Sequence, residues 1–301
     1  MAVQNRRDFL KSATLIGAGA AGLSAKKVHA EILEATPDDR MGVLVDTTVC
    51  IGCRSCEWAC KEAHSLEAGQ LQSYQEDRSV FEKERRPSDK ALTVVNEYNV
   101  NNISSLPVDV KVQCMHCEDP ACVASCIVNA FTKHKDGTVT WNTDKCIGCR
   151  YCMIACPFQI PVFEYSKAVQ PNIMKCDFCY DRTKDGKLPA CVDICPVEAL
   201  TYGKRNELIA LAKSRIKVKP EKYVNHIYGE YEVGGTSWLY LAGVDFSKLN
   251  FVPLGNESAP GVSREIQHGL FKYFVPPIAI YALLGGIMWL TKKRESNEEE
   301  I

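Results

Sequence analysis

The sequence predicts an α+β protein built from two cysteine-rich modules and one C-terminal transmembrane helix. Three observations lead to this class. All sixteen cysteines fall into four groups of four, short β-forming segments flank these groups, and a long uncharged apolar stretch lies near the C terminus. A length of 301 residues allows two modest domains or one domain with appendages. The formal net charge of −1 gives no global basic field of the kind that binds nucleic acid.

The N-terminal segment has the layout of an export signal. Arg6 and Arg7 precede an apolar run over residues 13–23, and Val28-His29-Ala30 offers a small-residue cleavage site. This order predicts a signal peptide over residues 1–30, and Arg-Arg-Asp-Phe-Leu-Lys is similar to the twin-arginine class of signals. The run also contains GxGxxG, but a dinucleotide site needs a strand before it and a βαβ unit around it, so this match is rejected.

The cysteine-rich body is predicted to span residues 31–235. A polar stretch over residues 64–90 separates the first two cysteine groups and resembles an insertion or surface loop. The flanking segments predict short elements: strands over residues 93–100, 108–112 and 236–244, a hairpin at Asp136–Gly137 and a helix over residues 207–217.

The C-terminal part is predicted to connect the body to a membrane. Residues 236–269 are interpreted as a strand followed by a linker rich in proline and glycine. The uncharged stretch over residues 270–291 approaches the roughly 20 residues that span a bilayer, and aromatic Tyr273 and Trp289 lie near its ends. The basic residues at 292–294 predict that residues 292–301 form a cytoplasmic tail. A buried core helix is the alternative, but the stretch lacks an amphipathic pattern.

Each cysteine belongs to one of four compact groups, and none is left over. The groups are Cys50, Cys53, Cys56 and Cys60; Cys114, Cys117, Cys122 and Cys126; Cys146, Cys149, Cys152 and Cys156; and Cys176, Cys179, Cys191 and Cys195.

The spacing within these groups indicates iron–sulfur ligation. The third group is Cys-x2-Cys-x2-Cys-x3-Cys-Pro, the bacterial spacing for a 4Fe–4S cluster, and the first has the same spacing without the proline. Three close cysteines can wrap one cluster, while the fourth lies on the next turn and faces the other cluster of a pair. Structural zinc usually takes two separated Cys-x2-Cys knuckles. The fourth group would fit that pattern if it stood alone.

Disulfides or a mixed ligand set could also account for closely spaced cysteines. Export favours disulfides, but cysteines three residues apart on one tight loop seldom reach disulfide geometry. His116 lies between Cys114 and Cys117 and could therefore be a ligand. Because all four cysteines of its group are present, His116 is interpreted as a neighbour that tunes a cluster by hydrogen bonding.

These blocks resemble those of a known family. The stretches QCMHCEDPACVASC, KCIGCRYCMIACPFQIP and KCDFCYDRTKDGKLPACVDICPVEAL are similar to the ferredoxin-like, four-cluster subunits of membrane oxidoreductases, which include the β subunits of formate dehydrogenase and dimethyl sulfoxide reductase. The resemblance covers about residues 41–203 and implies two ferredoxin-like modules with four 4Fe–4S clusters. The leader, GGTSWLYLAGV, SREIQHGLFK and the single apolar span are most similar to the iron–sulfur subunits of nickel–iron hydrogenases. Ile127 departs from the family, which has a proline after the second group.

The family pairs the first cysteine group with the fourth and the second with the third. The resemblance therefore implies these ligand sets: Cys50, Cys53, Cys56 and Cys195 for cluster 1; Cys60, Cys176, Cys179 and Cys191 for cluster 2; Cys114, Cys117, Cys122 and Cys156 for cluster 3; Cys126, Cys146, Cys149 and Cys152 for cluster 4.

The resemblance implies an electron-transfer subunit without a catalytic site of its own. Its clusters would relay electrons between a periplasmic catalytic partner, a nickel–iron hydrogenase, and an integral membrane subunit that handles quinone. A molybdenum enzyme such as formate dehydrogenase is the alternative partner, and a zinc- or disulfide-stapled scaffold is a function of a different class. The expected location is the inner membrane, with one span in the lipid, the cluster domain on the periplasmic side and the C terminus in the cytoplasm.

Overall fold

The computed structural model describes residues 40–100, 106–167, 171–261 and 280–289. All of these residues belong to one compact unit, Pro37–Ile301. The predicted signal peptide and cytoplasmic tail lie outside the described residues, so both stay predictions.

A three-stranded sheet forms the centre of the described structure. Strand β1 (Met41–Asp46) lies between β8 (Leu200–Lys204), to which it is antiparallel, and β9 (Trp238–Leu241), to which it is parallel. Both faces of β1 are covered, which explains why Val43, Leu44 and Val45 form an uninterrupted apolar run. The sheet therefore joins the start of the body, the strand after the fourth cysteine group and the predicted TSWLYLAGV strand.

Helix α7 (Arg205–Val218) covers one face of this sheet. Its Leu208 and Ala212 pack with Leu44, Leu239 and Leu241 in a buried apolar cluster. The opposite face carries Val43, Val45, Trp238 and Tyr240, which pack toward the cysteine groups. The predicted helix over residues 207–217 is confirmed and is slightly longer at each end.

Three two-stranded sheets surround the cysteine groups. They are β2 (Val94–Tyr98) with β3 (Val108–Val112), β4 (Phe131–Lys133) with β5 (Val139–Trp141), and β6 (Val162–Phe163) with β7 (Ile173–Met174). The predicted hairpin at Asp136–Gly137 is confirmed. Gly137 has φ 90°, and Asp136 Oδ1 accepts a hydrogen bond from the Thr138 amide at 2.9 Å.

The remaining helices within the described residues up to residue 250 are short. They are α1 (Ser55–Ala63), α2 (Leu71–Glu76), α3 (Ala121–Ala124), α4 (Tyr151–Ala155), α5 (Tyr180–Lys184) and α6 (Ala190–Asp193), with 3₁₀ turns at Ser79–Glu82, Thr143–Lys145, Glu232–Gly234 and Phe246–Leu249.

The stretch over residues 64–90 is more ordered than a surface loop. It contains α2, whose Tyr74 is buried beneath the guanidinium of Arg54 at 5.0 Å from the ring centroid. Arg85 from the same stretch reaches the buried carboxylate of Glu57 on α1 at 2.6 Å. The sequence prediction missed this packing because a charged side chain gives no local sign of the partner that buries it.

The predicted transmembrane helix, and with it the predicted single-pass location in the inner membrane, is wrong. No helix within the four described ranges is long and apolar enough to cross a membrane. Except for residues 280–289, the predicted span lies outside the described part of the chain. The fold class is corrected to mixed α and β structure with small sheets.

Candidate metal centre

The first and third cysteine groups share one backbone arrangement. Both begin with Cys-Ile-Gly-Cys-Arg, and in both the glycine and the arginine have positive φ: 64° and 58° at Gly52 and Arg54, 68° and 62° at Gly148 and Arg150. A short helix follows each loop. A Cβ added at Gly52 would lie 2.3 Å from Oδ1 of Asp109, so only glycine fits this close approach.

The second and fourth groups form another structural repeat. In each Cys-x2-Cys loop the residue before the second cysteine is left-handed, with φ 49° at His116 and φ 66° at Phe178. The third cysteine of each group lies in a short helix that begins directly after a proline, Pro120 or Pro189. The fourth group has the longer spacing between its second and third cysteines, and helix α5 lies within that segment. The two groups therefore keep the same arrangement although their loops differ in length.

The fourth cysteine of three groups is followed by the same turn. The third residue after it has positive φ, 50° at Asn129 and 52° at both Gln159 and Glu198. In each case that residue's amide donates to the carbonyl of the cysteine, at 3.0–3.3 Å. Because the turn forms after Cys126 as well, where Ile127 replaces proline, the proline is not required for the chain to leave the helix. Cys60 differs, since α1 continues to Ala63.

Cys114, Cys117, Cys122 and Cys156 come together around one cavity, which all four line. Burial raises the pKa of the Cys117 thiol well above its usual value, and the other three cysteines add to this rise. Burial also raises the pKa of Cys122 to about 12, while the charge of Lys175 opposes the rise. Cys156 approaches from the third group, so this set joins two groups that are separate in sequence.

Cys126 lies near three cysteines of the third group. Burial raises the pKa of Cys152 to about 12, and the neighbouring thiols of Cys146, Cys149 and Cys126 raise it further. The Ala130 amide donates to Sγ of Cys126 at 3.2 Å, which is the kind of contact that stabilises a thiolate.

The first and fourth groups also exchange neighbours. Burial raises the pKa of the Cys50 thiol to about 12; the Gly52 amide opposes the rise, while Cys53 and Cys195 add to it. Burial raises the pKa of Cys56 as well, with Lys111 opposing and Cys191 and Cys50 adding. Cys195 of the fourth group thus approaches cysteines of the first.

Cys60 in turn lies near the other cysteines of the fourth group. Its charge raises the pKa of Cys176 and of Cys191, in each case after the larger effect of burial. The pKa of Cys179 rises to about 12 through burial, with a contribution from Cys191. Cys60, Cys176, Cys179 and Cys191 therefore share one neighbourhood.

The donor set fits metal-bound thiolates. All sixteen cysteines are free of disulfides, and six are buried. Metals bind the thiolate form, but burial and mutual repulsion hold most of these thiols in the neutral form. A bound cation or cluster that supplies positive charge at each set would remove this conflict. Four sulfur donors in a set suit zinc or iron–sulfur clusters equally, so the choice between them rests on spacing and on relatives.

Several neighbours of the cysteines were not predicted as site residues. Lys111 and Lys175 are buried beside the cysteine sets, and His64 binds Asp177 next to Cys60. Lys175 precedes Cys176 as Lys145 precedes Cys146, yet only Lys175 is buried. No sequence signal distinguishes the two.

His116 is buried, and its Nδ1 accepts a hydrogen bond from the Val139 amide at 2.9 Å. Burial and the charges of Lys175 and Lys133 lower the pKa of His116 well below its usual value.

Four close cysteine sets on a doubly repeated backbone define a multi-cluster iron–sulfur protein of the ferredoxin type. Comparison with known proteins agrees with this class. Residues 109–205 match the family model described as a 4Fe-4S dicluster domain. A protein of Nitratidesulfovibrio vulgaris is 45% identical over 300 residues, which cover 97% of this chain and 78% of that protein.

Two further relatives carry descriptive names. The hydrogenase-2 operon protein HybA of Escherichia coli O157:H7 is 34% identical over an alignment of 325 residues, covering 98% of this chain and 97% of that protein. The iron-sulfur subunit of the nitrate-inducible formate dehydrogenase of E. coli K12 is 33% identical over 204 residues, covering 66% of each chain. The chain belongs to this family of iron–sulfur electron-transfer subunits of oxidoreductases. The predicted resemblance and the predicted 4Fe–4S cofactors are thereby confirmed.

Proposed function

We propose that this chain relays single electrons between a catalytic oxidoreductase subunit and a membrane subunit that reacts with quinone. The chain makes and breaks no substrate bonds in this proposal. When bound, each 4Fe–4S cluster supplies a site that accepts and returns one electron. The residues of this chain hold the clusters, keep water from the buried thiolates and set the distances between clusters.

The proposed ligand sets are the four that the family resemblance implies for clusters 1 to 4. The cavity shared by Cys114, Cys117, Cys122 and Cys156 supports cluster 3. The effect of Cys195 on Cys50 supports cluster 1, that of Cys60 on Cys176 supports cluster 2, and that of Cys126 on Cys152 supports cluster 4.

Electrostatic interactions between cysteines of neighbouring sets carry the proposal of a relay. Cys56 of cluster 1 lies near Cys191 of cluster 2, and Cys176 of cluster 2 lies near Cys114 of cluster 3. Cys152 of cluster 4 lies near Cys122 of cluster 3. These interactions support a single row in the order 1, 2, 3, 4. Cys149 is exposed, which suits cluster 4 to exchange electrons at the surface.

The proposed catalytic partner is a nickel–iron hydrogenase. The similarity to the hydrogenase-2 operon protein covers 98% of this chain and 97% of that protein, whereas the formate dehydrogenase relative covers 66% of this chain. A molybdenum enzyme such as formate dehydrogenase is the second candidate.

Anaerobic purification of the intact complex tests both parts of the proposal. This chain, once separated from its partner subunits, should contain about sixteen irons and about sixteen labile sulfides, since each of the four cubane clusters needs four of each. Hydrogen should bleach the visible cluster absorbance, and formate should not. Bleaching by formate alone would select the molybdenum enzyme as partner, and about four zinc ions without sulfide would exclude the relay altogether.

A further inference from the structure

Two buried lysines, Lys111 and Lys175, lie among the cysteine sets, and the charge of Lys175 also acts on the carboxylate of Asp177. Lys111 is 3% exposed; its Nζ donates to Oε1 of Gln113 at 2.9 Å and lies 4.4 Å from the Trp238 ring centroid. Lys175 is fully buried, and its Nζ donates to the carbonyls of Cys176 and Val139. Neither forms an ion pair with any carboxylate among the residues that the structure describes.

A buried ammonium group without an anion is costly. Transfer of a charge out of water normally drives the group to its neutral form unless an opposite charge lies close by. Lys111 is held by polar and aromatic contacts: its ammonium group donates to Gln113 and lies over the Trp238 ring, which packs in one apolar cluster with Cys191 and Cys56. The anions that would compensate this lysine are the thiolates of these cysteines once they bind iron.

Each lysine lies where two cysteine sets meet. Lys111 lies over Trp238, in the apolar cluster that contains Cys56 of cluster 1 and Cys191 of cluster 2. Lys175 acts on Cys122 of cluster 3 and donates to the backbone of Cys176 in cluster 2. Lys133, which donates to the carbonyl of Cys117, is different, because its ammonium group lies 3.8 Å from the carboxylate of Glu118.

We propose that Lys111 and Lys175 are internal counter-charges that raise the reduction potentials of the clusters on either side of the 1–2 and 2–3 junctions. The inference rests on the proposed ligand sets and relay. Reduction adds one negative charge to a cluster, and a fixed cation nearby in a medium of low dielectric constant stabilises that added charge. No bond changes in this proposal. Both lysines act through the clusters and are not ligands.

Potentiometric EPR on the full-length, cluster-loaded protein tests this proposal. Lys111→Met should lower the potentials of clusters 1 and 2 and leave cluster 4 unchanged. Lys175→Met should lower those of clusters 2 and 3. We expect a shift of at least about tenfold in the reduction equilibrium of an affected cluster, which corresponds to about 59 mV for a one-electron couple.

Two further variants separate charge from packing. Lys111→Arg keeps the charge and should restore the wild-type potentials. Lys145→Gln removes an exposed charge beside Cys146, where solvent screens it, and should shift cluster 4 by less than about twofold. If a methionine variant does not assemble, Lys111→Gln and Lys175→Gln provide the same loss of charge with a polar head.

Iron content and the number of EPR signals are measured first, so that two kinds of failure can be distinguished. Four signals with unmoved potentials in both lysine variants would overturn the counter-charge proposal and leave the relay intact. Fewer than four clusters in the wild-type chain would instead contradict the relay. Equal shifts from Lys145→Gln and Lys111→Met would also overturn the proposal, because burial would then make no difference.

Discussion

Nε2 of His64 lies 2.8 Å from Oδ1 of Asp177, so a charged pair joins the first and fourth cysteine groups across 113 residues of sequence. Nδ1 of the same histidine lies 2.7 Å from the carbonyl oxygen of Cys60. Burial by itself would lower the pKa of His64. Interactions with Asp177 and Cys60 outweigh burial and raise the pKa to about 12. His64 is therefore a cation at neutral pH, and it ties α1 to the loop that carries Cys176 and Cys179.

Removal of this pair should loosen the contact between the two groups. Asp177→Asn leaves His64 without its anion, and we expect a loss of about 1–3 kcal/mol in stability. The measurement is the temperature at which the visible cluster absorbance disappears. Asp181→Asn removes an exposed carboxylate from the same region and should change stability by less than about 0.5 kcal/mol. Equal losses in both variants would contradict the role of the pair.

Glu57 organises the region between the first two cysteine groups. Its buried carboxylate accepts hydrogen bonds from Arg85 at 2.6 Å and from the Val95 amide at 2.6 Å, and it lies 3.4 Å from Arg54. Glu57→Gln leaves two arginines near a neutral group and should destabilise the protein by about 3–5 kcal/mol.

Heating of the cluster-loaded Glu57→Gln protein should show that loss directly. Glu62→Gln is the matched control, because Glu62 is exposed on the same helix. We also expect faster proteolysis within residues 64–90 in Glu57→Gln, since Arg85 anchors that stretch to α1. Unchanged cleavage there would show that the stretch is held by other contacts.

Asp109 should make stability depend on pH. Burial, followed by the charge of Glu97, raises the pKa of Asp109 from 3.8 to about 6, against the opposing charge of Arg78. The folded protein therefore binds a proton more readily than the unfolded chain between about pH 6 and 4, so stability rises as the pH falls through this window. Above pH 6 the buried carboxylate is ionised, so the full free-energy cost of burying its charge is present.

Asp109→Asn should remove this dependence and stabilise the protein at pH 7.5 by about 2 kcal/mol, allowing for partial solvent screening. Thermal loss of the clusters at several pH values between about 5 and 8 measures the effect. Asp144→Asn, at an exposed position, should keep the wild-type slope. An Asp109→Asn protein with the same slope as the wild type would mean that another group titrates in this range.

The exchange of ligands between cysteine groups gives a spectroscopic prediction. Cys156→Ser should disturb the same EPR signal as Cys117→Ser, because both residues line one cavity. Cys149→Ser should disturb a different signal, shared with Cys126→Ser. If Cys156 and Cys149 variants lose one common signal while Cys117 loses another, each group closes its own cluster and the proposed sets are wrong.

Features that depend on neighbouring residues could be predicted from the sequence. The spacing of the cysteines identifies the cofactor, since ligand type and loop length are local properties. Strands β2 and β3, the hairpin at Asp136–Gly137 and helix α7 follow from local alternation, turn chemistry and helix periodicity. The apolar stretch near the C terminus shows the limit of this reasoning, because no helix within the described ranges is long and apolar enough to cross a membrane.

Other features depend on segments that are far apart in sequence, and only the tertiary structure decided them. In the sequence, Lys111, Lys175 and Lys145 are equivalent cations. Folding buries Lys111 and Lys175 among thiols and leaves Lys145 exposed to solvent. Likewise, nothing in the sequence around His64 or Asp177 indicates that the two residues pair. Burial and charge pairing arise from the approach of distant segments, and a linear pattern holds no information about which segments meet. The sequence by itself therefore determined which atoms can bind the clusters, and the tertiary structure decided which charges surround them.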